Sequence, residues 1–146
     1  MGPLSLDGLT ENALLLVDSA PIIYVLEDHA DLAPTFRPVF EAHGKGLVRL
    51  AVTTVTLAEV LTGPLCGSDE VLAERYRSTL KSWFVVDLDP EIAESAARLR
   101  AALKWKLADA VQAASALAIG ADALVTHDRD FSGNRDLLIL GVEAAR

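Results

Sequence analysis

Short apolar runs that alternate with helix-forming sequence constrain the fold of this chain most strongly. Five such runs lie at residues 14–17, 48–53, 83–86, 123–126 and 137–140. Runs of this length are typical of strands that are buried on both faces of a parallel sheet. Because helical sequence separates them, the pattern predicts a three-layer α/β/α fold with a central, mostly parallel five-stranded sheet.

Caps and breakers set the expected limits of the intervening helices. Asp89-Pro90 supplies an N-cap followed by the proline that is favoured in a first helical turn. Gly63-Pro64 is expected to end one helix and Gly120 another. The predicted helices cover residues 19–26, 35–43, 55–61, 68–80, 90–103 and 106–119.

Size and composition are those of one globular domain. The 146 residues are 51% hydrophobic and 23% charged, so we expect a single domain over 1–146, with 1–12 as a short N-terminal leader. The one cysteine, Cys66, cannot form an internal disulfide. No apolar run reaches the ~18 residues of a membrane span, so a cytoplasmic protein without membrane association is the expectation.

Four acidic residues follow the predicted strands closely enough to share one edge of the sheet. Asp18 directly follows the first strand, and Asp128 comes two residues after the fourth. Glu59 lies in the helix after the second strand, and Asp109 near the start of the helix before the fourth. In such folds ligands bind beyond the carboxyl ends of the strands, which makes this edge the candidate site.

Each acid taken singly also has a purely structural explanation. Thr56 and Glu59 match a capping box, and Asp109 is a first-turn acid that the helix dipole favours. Asp18 is a candidate helix cap, and Asp128 or Asp130 is a candidate for an Asx-turn. None of these explanations requires the four acids to converge.

Four segments, in order, resemble the motifs of PIN domains. They are Leu-Leu-Val-Asp-Ser at 15–19, Thr-Leu-Ala-Glu-Val at 56–60, Leu-Ala-Asp-Ala-Val-Gln-Ala-Ala at 107–114 and Val-Thr-His-Asp-Arg-Asp-Phe at 125–131. The resemblance covers about residues 14–142, nearly the whole chain. The single-domain size is similar to that of VapC, the toxin of VapBC toxin–antitoxin pairs.

The resemblance implies a PIN-like nuclease fold and a set of functional residues. The catalytic and metal-binding acids would be Asp18, Glu59, Asp109 and Asp128. The neighbours that support them would be Ser19, Thr126 and Asp130, the last of which is also an alternative fourth acid. Carboxylates suit Mg²⁺ or Mn²⁺, and the sequence leaves one or two ions open.

A formal net charge of −8 needs reconciling with an RNA substrate. Bound cations would neutralise the acids of the site, and Lys104, Lys106 and Arg129 are candidates for contacts to RNA phosphates. Ordinary solvated charge is the alternative for all three. Trp105 is open to stacking on a base, anchoring a partner or packing in the core, and His127 is expected to be an exposed loop residue.

The resemblance implies a metal-dependent endoribonuclease that is the toxin of a type II toxin–antitoxin pair. A homodimer and a small antitoxin with a basic segment would be its protein partners. Two alternatives keep the fold: an RNA-processing nuclease without antitoxin, and a non-catalytic binding module. A third alternative is a response-regulator receiver, although residues 137–141 lack the lysine expected at the end of its last strand.

Overall fold

A computed structural model describes residues 3–128, 131 and 136–141 of the chain. Helices and strands alternate much as the sequence predicts. In chain order the elements are β1 (Ala13–Val17), α1 (Ser19–Leu26), α2 (Ala33–Gly44), β2 (Val48–Thr53), α3 (Thr54–Cys66), α4 (Glu70–Lys81), β3 (Phe84–Val86), α5 (Pro90–Leu103), α6 (Leu107–Ala118), β4 (Ala123–Thr126) and β5 (Ile139–Gly141).

The five strands form one sheet in the order β3-β2-β1-β4-β5, and every pairing between neighbours is parallel. The predicted fold class is therefore confirmed. The chain adds β2 and β3 on one side of β1 and then crosses over to add β4 and β5 on the other side. The switch point of the sheet therefore lies between β1 and β4. Receiver domains have the order 2-1-3-4-5 instead, so the structure rules out that alternative.

Two hydrophobic cores lie on opposite faces of the sheet. Leu15 and Val17 of β1 point toward α1–α4, where they pack with Phe36. Leu14 and Leu16 point toward α5 and α6. All five residues of β1 are buried, which explains why the run is apolar throughout rather than alternating.

The predicted end of α3 at Gly63-Pro64 is wrong. The helix continues to Cys66 with Pro64 inside it. A proline removes one backbone hydrogen bond of a helix and usually breaks it. Here the Pro64 side chain is buried, and its carbonyl accepts a hydrogen bond from the Asp69 amide at 2.9 Å, so packing and a new turn offset the lost bond.

Other boundaries shift by a few residues. Helix α4 begins at Glu70, after an Asp69 N-cap, and β5 lies at Ile139–Gly141. The single domain over 1–146 and the leader at 1–12 remain predictions, although Leu4 within that leader packs into the core beside α2. Among the helices that the structure describes, none combines the length and apolar character needed to cross a bilayer.

Candidate active site

Asp18 lies at the switch between β1 and β4, and its carboxylate is held by three donors. Its backbone N–H donates to the Val125 carbonyl, which fixes it at the carboxyl ends of both strands. Its Oδ1 accepts hydrogen bonds from the Ser19 N–H and the Gln112 Nε2, both at 2.8 Å. Its Oδ2 accepts from the Thr126 hydroxyl at 2.9 Å. Asp18 is thus the N-cap that the structural explanation expected, but it also contacts α6 and β4.

Glu59 does not belong to a capping box. The N-cap of α3 is Thr53, whose hydroxyl accepts a hydrogen bond from the Thr56 N–H at 3.1 Å. Glu59 lies a turn further on, and although the residue as a whole is exposed, its carboxyl faces Asp18. Desolvation first, and then the charge of Asp18, raise the pKa of Glu59, while a hydrogen bond with the Ser19 side chain lowers it. The capping-box explanation is therefore wrong.

Asp109 is the most deeply placed acid, with only 6% of its surface exposed. It stands in the first turn of α6, but the helix dipole does not account for its burial beside other acids. Burial, a hydrogen bond with the Asp128 carboxyl and the charges of Asp128 and Asp18 raise the pKa of Asp109 to about 7, against the lowering effect of Lys106. Within the described part of the chain, its Oδ2 has no hydrogen-bond partner.

Asp128 is positioned by the same threonine that holds Asp18. The Asp128 backbone N–H donates to the Thr126 hydroxyl oxygen at 3.0 Å, which closes a tight turn after β4. Thr126 is only 1% exposed, so one buried hydroxyl fixes the positions of two acids. The structure thus brings Asp18, Glu59, Asp109 and Asp128 to one edge of the sheet.

The residues at this edge fit a hard divalent cation. Oxygen donors are the ligands that Mg²⁺ and Mn²⁺ prefer, and adjacent carboxylates repel one another unless a proton or a cation lies between them. The partnerless, buried Oδ2 of Asp109 is an oxygen that a cation would satisfy. Across residues 3–128, 131 and 136–141, no three acidic, histidine or cysteine side chains are close enough together to hold a metal ion as they stand. The four acids are therefore neighbours that do not yet form a complete metal-binding site.

Sequence reasoning did not single out Gln112, which the structure places in the site. It is 1% exposed and donates to Asp18 from the turn of α6 that follows Asp109. Residues three apart share a helix face, so Gln112 and Asp109 point the same way. A lone amide inside the otherwise apolar stretch 110–114 was the available indication, because buried amides need partners.

The predicted supporting and RNA-contacting residues are placed unevenly. Ser19 and Thr126 contact the acids directly. Lys106 is exposed and near enough to Asp109 to lower its pKa, whereas Lys104 is exposed at the end of α5 in a left-handed conformation. Arg129 and Asp130 lie outside the described residues.

Trp105 and His127 both pack against other aromatic rings. Trp105 is 6% exposed and meets the Phe131 ring edge-on at 5.2 Å, so core packing is the correct one of its three alternatives. The expectation that His127 is exposed is wrong. It is half-buried between Tyr24 and Phe36, since both rings contact it edge-on, and no described residue bonds to its Nδ1.

Comparisons with known proteins agree with the fold. A family model described as PIN domain matches residues 15–136. Among curated proteins, none matches the sequence.

Three solved structures illustrate the similarity of the fold. A toxin–antitoxin complex from Klebsiella pneumoniae is 25% identical, with 82% of this chain and 91% of that chain covered at a TM-score of 0.67. VapBC2 from Rickettsia felis, bound to a DNA fragment from its promoter, is 18% identical over 89% and 99%, with a TM-score of 0.69. VapC20 of Mycobacterium tuberculosis, a Sarcin-Ricin loop cleaving toxin, is 15% identical over 81% and 92%, at 0.67.

Proposed function

This chain belongs to the PIN domain family, and on that premise we propose that it is a metal-dependent endoribonuclease that cleaves RNA phosphodiester bonds. The observation that carries the proposal is the position of Asp109. Its carboxyl is buried, shares a hydrogen bond with Asp128 and leaves one oxygen without a described partner. A fold seldom tolerates such a group without a functional reason.

Asp18 and Asp109 are the acids proposed to bind Mg²⁺ or Mn²⁺ directly, with Glu59 and Asp128 completing the site for one or two ions. A divalent cation bound there supplies a water of lowered pKa and offsets the charge on the leaving oxygen. The chain's own residues set the geometry: Thr126 and Gln112 fix the Asp18 carboxylate before any substrate arrives. Such preorganisation spares the site from reorganising during the reaction.

An RNA substrate is compatible with the net charge of −8, because the acidic charge at this edge would be offset by the cation. Lys106, which is exposed beside Asp109, is proposed to contact a phosphate next to the scissile bond. Lys104 and Arg129 are proposed to contact other phosphates of the RNA. Each such contact contributes to affinity without selecting a sequence.

We further propose that the protein is the toxin of a type II toxin–antitoxin pair. Support comes from its structural neighbours, which include a toxin–antitoxin complex and a VapC toxin. A homodimer and a small antitoxin with a basic segment, acting in the cytoplasm, follow from this proposal. Co-expression with an adjacent small reading frame should yield a stable complex, whereas recovery of free monomer alone would favour an RNA-processing nuclease without antitoxin.

Cleavage of a mixed single-stranded RNA pool, with Mg²⁺, Mn²⁺ or EDTA, tests the nuclease proposal. Wild-type protein should give products only with metal, and Asp18→Asn and Asp109→Asn should each lose cleavage by about 100-fold or more, as expected when one member of a catalytic unit is removed. Asp87→Asn is the matched control, because Asp87 also follows a strand directly but is exposed, and its strand β3 is separated from β1 by β2. Equal cleavage by all four proteins would contradict the proposed site, and none by wild type would favour the non-catalytic module.

A further inference from the structure

Gln112 is an amide whose hydrogen-bonding groups are all assigned. Its Oε1 accepts from the Thr53 hydroxyl at 2.9 Å, and its Nε2 donates at 2.8 Å both to Thr56 Oγ1 and to Asp18 Oδ1. The Asp18 carboxylate can only accept, so the NH₂ end of the amide must face it. Thr53 and Thr56 are 1% and 0% exposed, so water does not compete for these bonds.

The donors around Asp18 leave its two oxygens unequal. Each carboxylate oxygen has about two lone pairs that can accept a donor or a metal ion. On Oδ1 both are taken, by the Ser19 N–H and by Gln112 Nε2. On Oδ2 the Thr126 hydroxyl takes one, which leaves one lone pair for a ligand.

We propose that Gln112 makes Asp18 a metal ligand through Oδ2 alone and thereby selects small divalent cations over Ca²⁺. The inference rests on the proposed metal-dependent function. Ca²⁺ accepts carboxylates through one oxygen or through both in a flexible shell of 6–8 ligands, whereas Mg²⁺ requires a compact octahedron. A carboxylate with one oxygen already occupied cannot offer the two-oxygen contact that favours Ca²⁺. Gln112 therefore acts as a positioning residue.

The two threonines keep this amide from turning away. The Thr53 hydroxyl, which caps α3 by accepting a hydrogen bond from the Thr56 N–H, donates a hydrogen bond to Gln112 Oε1. Thr56 Oγ1 accepts the second amide hydrogen. Rotating the amide would break these bonds and point an oxygen at Asp18. The start of α3, the helix that carries Glu59, is thereby connected to the same carboxylate.

The test is calorimetric titration of metal-free protein with MnCl₂, MgCl₂ and CaCl₂ separately, with the melting temperature recorded alongside. Gln112→Met keeps the length and apolar bulk of the side chain but removes both the donor to Asp18 and the acceptor of the Thr53 hydroxyl. It should weaken Mn²⁺ and Mg²⁺ binding by about tenfold, the size usual for partners of metal ligands. Ca²⁺ binding should weaken less, so the preference for Mg²⁺ over Ca²⁺ shrinks.

Two further variants keep the test decisive. Thr56→Val removes the acceptor of the second amide hydrogen, together with the longer 3.3 Å contact to the Thr53 hydroxyl, but leaves the amide itself in place. It should give a smaller loss in the same direction, even if Gln112→Met folds poorly. Ser115→Ala is the matched control, because Ser115 is also 1% exposed on α6, its hydroxyl has no partner among the described residues, and it is not among the proposed ligands. It should leave all three affinities unchanged.

The outcomes separate this inference from the proposed function. One outcome is that Gln112→Met binds Mn²⁺ with wild-type affinity and keeps the wild-type preference for Mg²⁺ over Ca²⁺. That result would overturn only the role of Gln112, whether or not the melting temperature of the variant fell. Absence of Mn²⁺ binding by wild type would overturn the metal site and this inference with it. Metal binding that depends on Gln112, without RNA cleavage, would uphold the inference and contradict the ribonuclease.

Discussion

Replacing Asp109 with asparagine should change the pH dependence of stability in a direction that the site geometry fixes. In the metal-free protein the pKa of Asp109 is about 7, above the ordinary value of 3.8. The folded state therefore holds a proton that the unfolded chain releases, and stability declines as the pH rises from the unfolded value toward the folded one. The asparagine of the variant carries no titrating proton, so the variant should lack this decline.

The size of the stability difference follows from the two pH units between about pH 5, where the measurement starts, and the folded pKa of Asp109 at about 7. Each unit corresponds to about 1.4 kcal/mol, so the wild type should lose about 3 kcal/mol, relative to Asp109→Asn, between about pH 5 and pH 8. Solvent screening of the carboxyl lowers this value, so about 3 kcal/mol is its upper limit. Titrations of acids that do not interact with Asp109 are the same in both proteins and cancel in the difference.

Urea unfolding in EDTA, followed by circular dichroism at several pH values from about 5 to 8, measures that difference. The free energy of unfolding of Asp109→Asn minus that of wild type should rise steadily with pH. Asp87→Asn, which changes an exposed acid, should show no such trend. A difference that stays flat or falls with pH for Asp109→Asn would refute the buried, protonated carboxyl.

Three other changes test the packing around the site and its response to metal. Mn²⁺ at about 100 times its dissociation constant should stabilise wild type by about 2.7 kcal/mol and Asp109→Asn much less; equal stabilisation would place the ion elsewhere. Gly141→Ala should destabilise the fold by at least about 1–3 kcal/mol, because a Cβ there would collide with the Thr126 carbonyl; wild-type stability in urea would contradict the β4–β5 pairing. Trp105→Ala should cost about 3–5 kcal/mol by emptying the space beside Phe131, and a loss below about 1 kcal/mol would show that Trp105 is not core.

The layer arrangement and the edge that carries the acids were predictable from the sequence. Strands buried on both faces are apolar throughout, and Asp18 follows such a run directly. Parallel connections then place the ends of β1 and β4 at the same edge, so proximity of Asp18 and Asp128 follows from topology. These features depend on patterns within a few residues of each acid.

Features that depend on which groups meet in the folded chain were not predictable. Whether Glu59 belongs to a capping box depends on which residue caps α3, and the structure shows that this residue is Thr53 rather than Thr56. Gln112 lies 94 residues from Asp18 in the chain, and nothing local indicates that its amide reaches that carboxylate. Pro64 is a helix breaker in isolation, and only its burial explains why α3 continues past it.

The central claim is that the four acids at the β1–β4 switch form one metal centre. Anomalous scattering from crystals of the protein soaked in Mn²⁺ measures this most directly, because it locates the ion without reference to activity. The account predicts a manganese peak in contact with Asp18 Oδ2 and Asp109 Oδ2. A peak only at other acids, such as Asp87 and Asp89 beyond β3, or no peak at a concentration that saturates calorimetric binding, would contradict it.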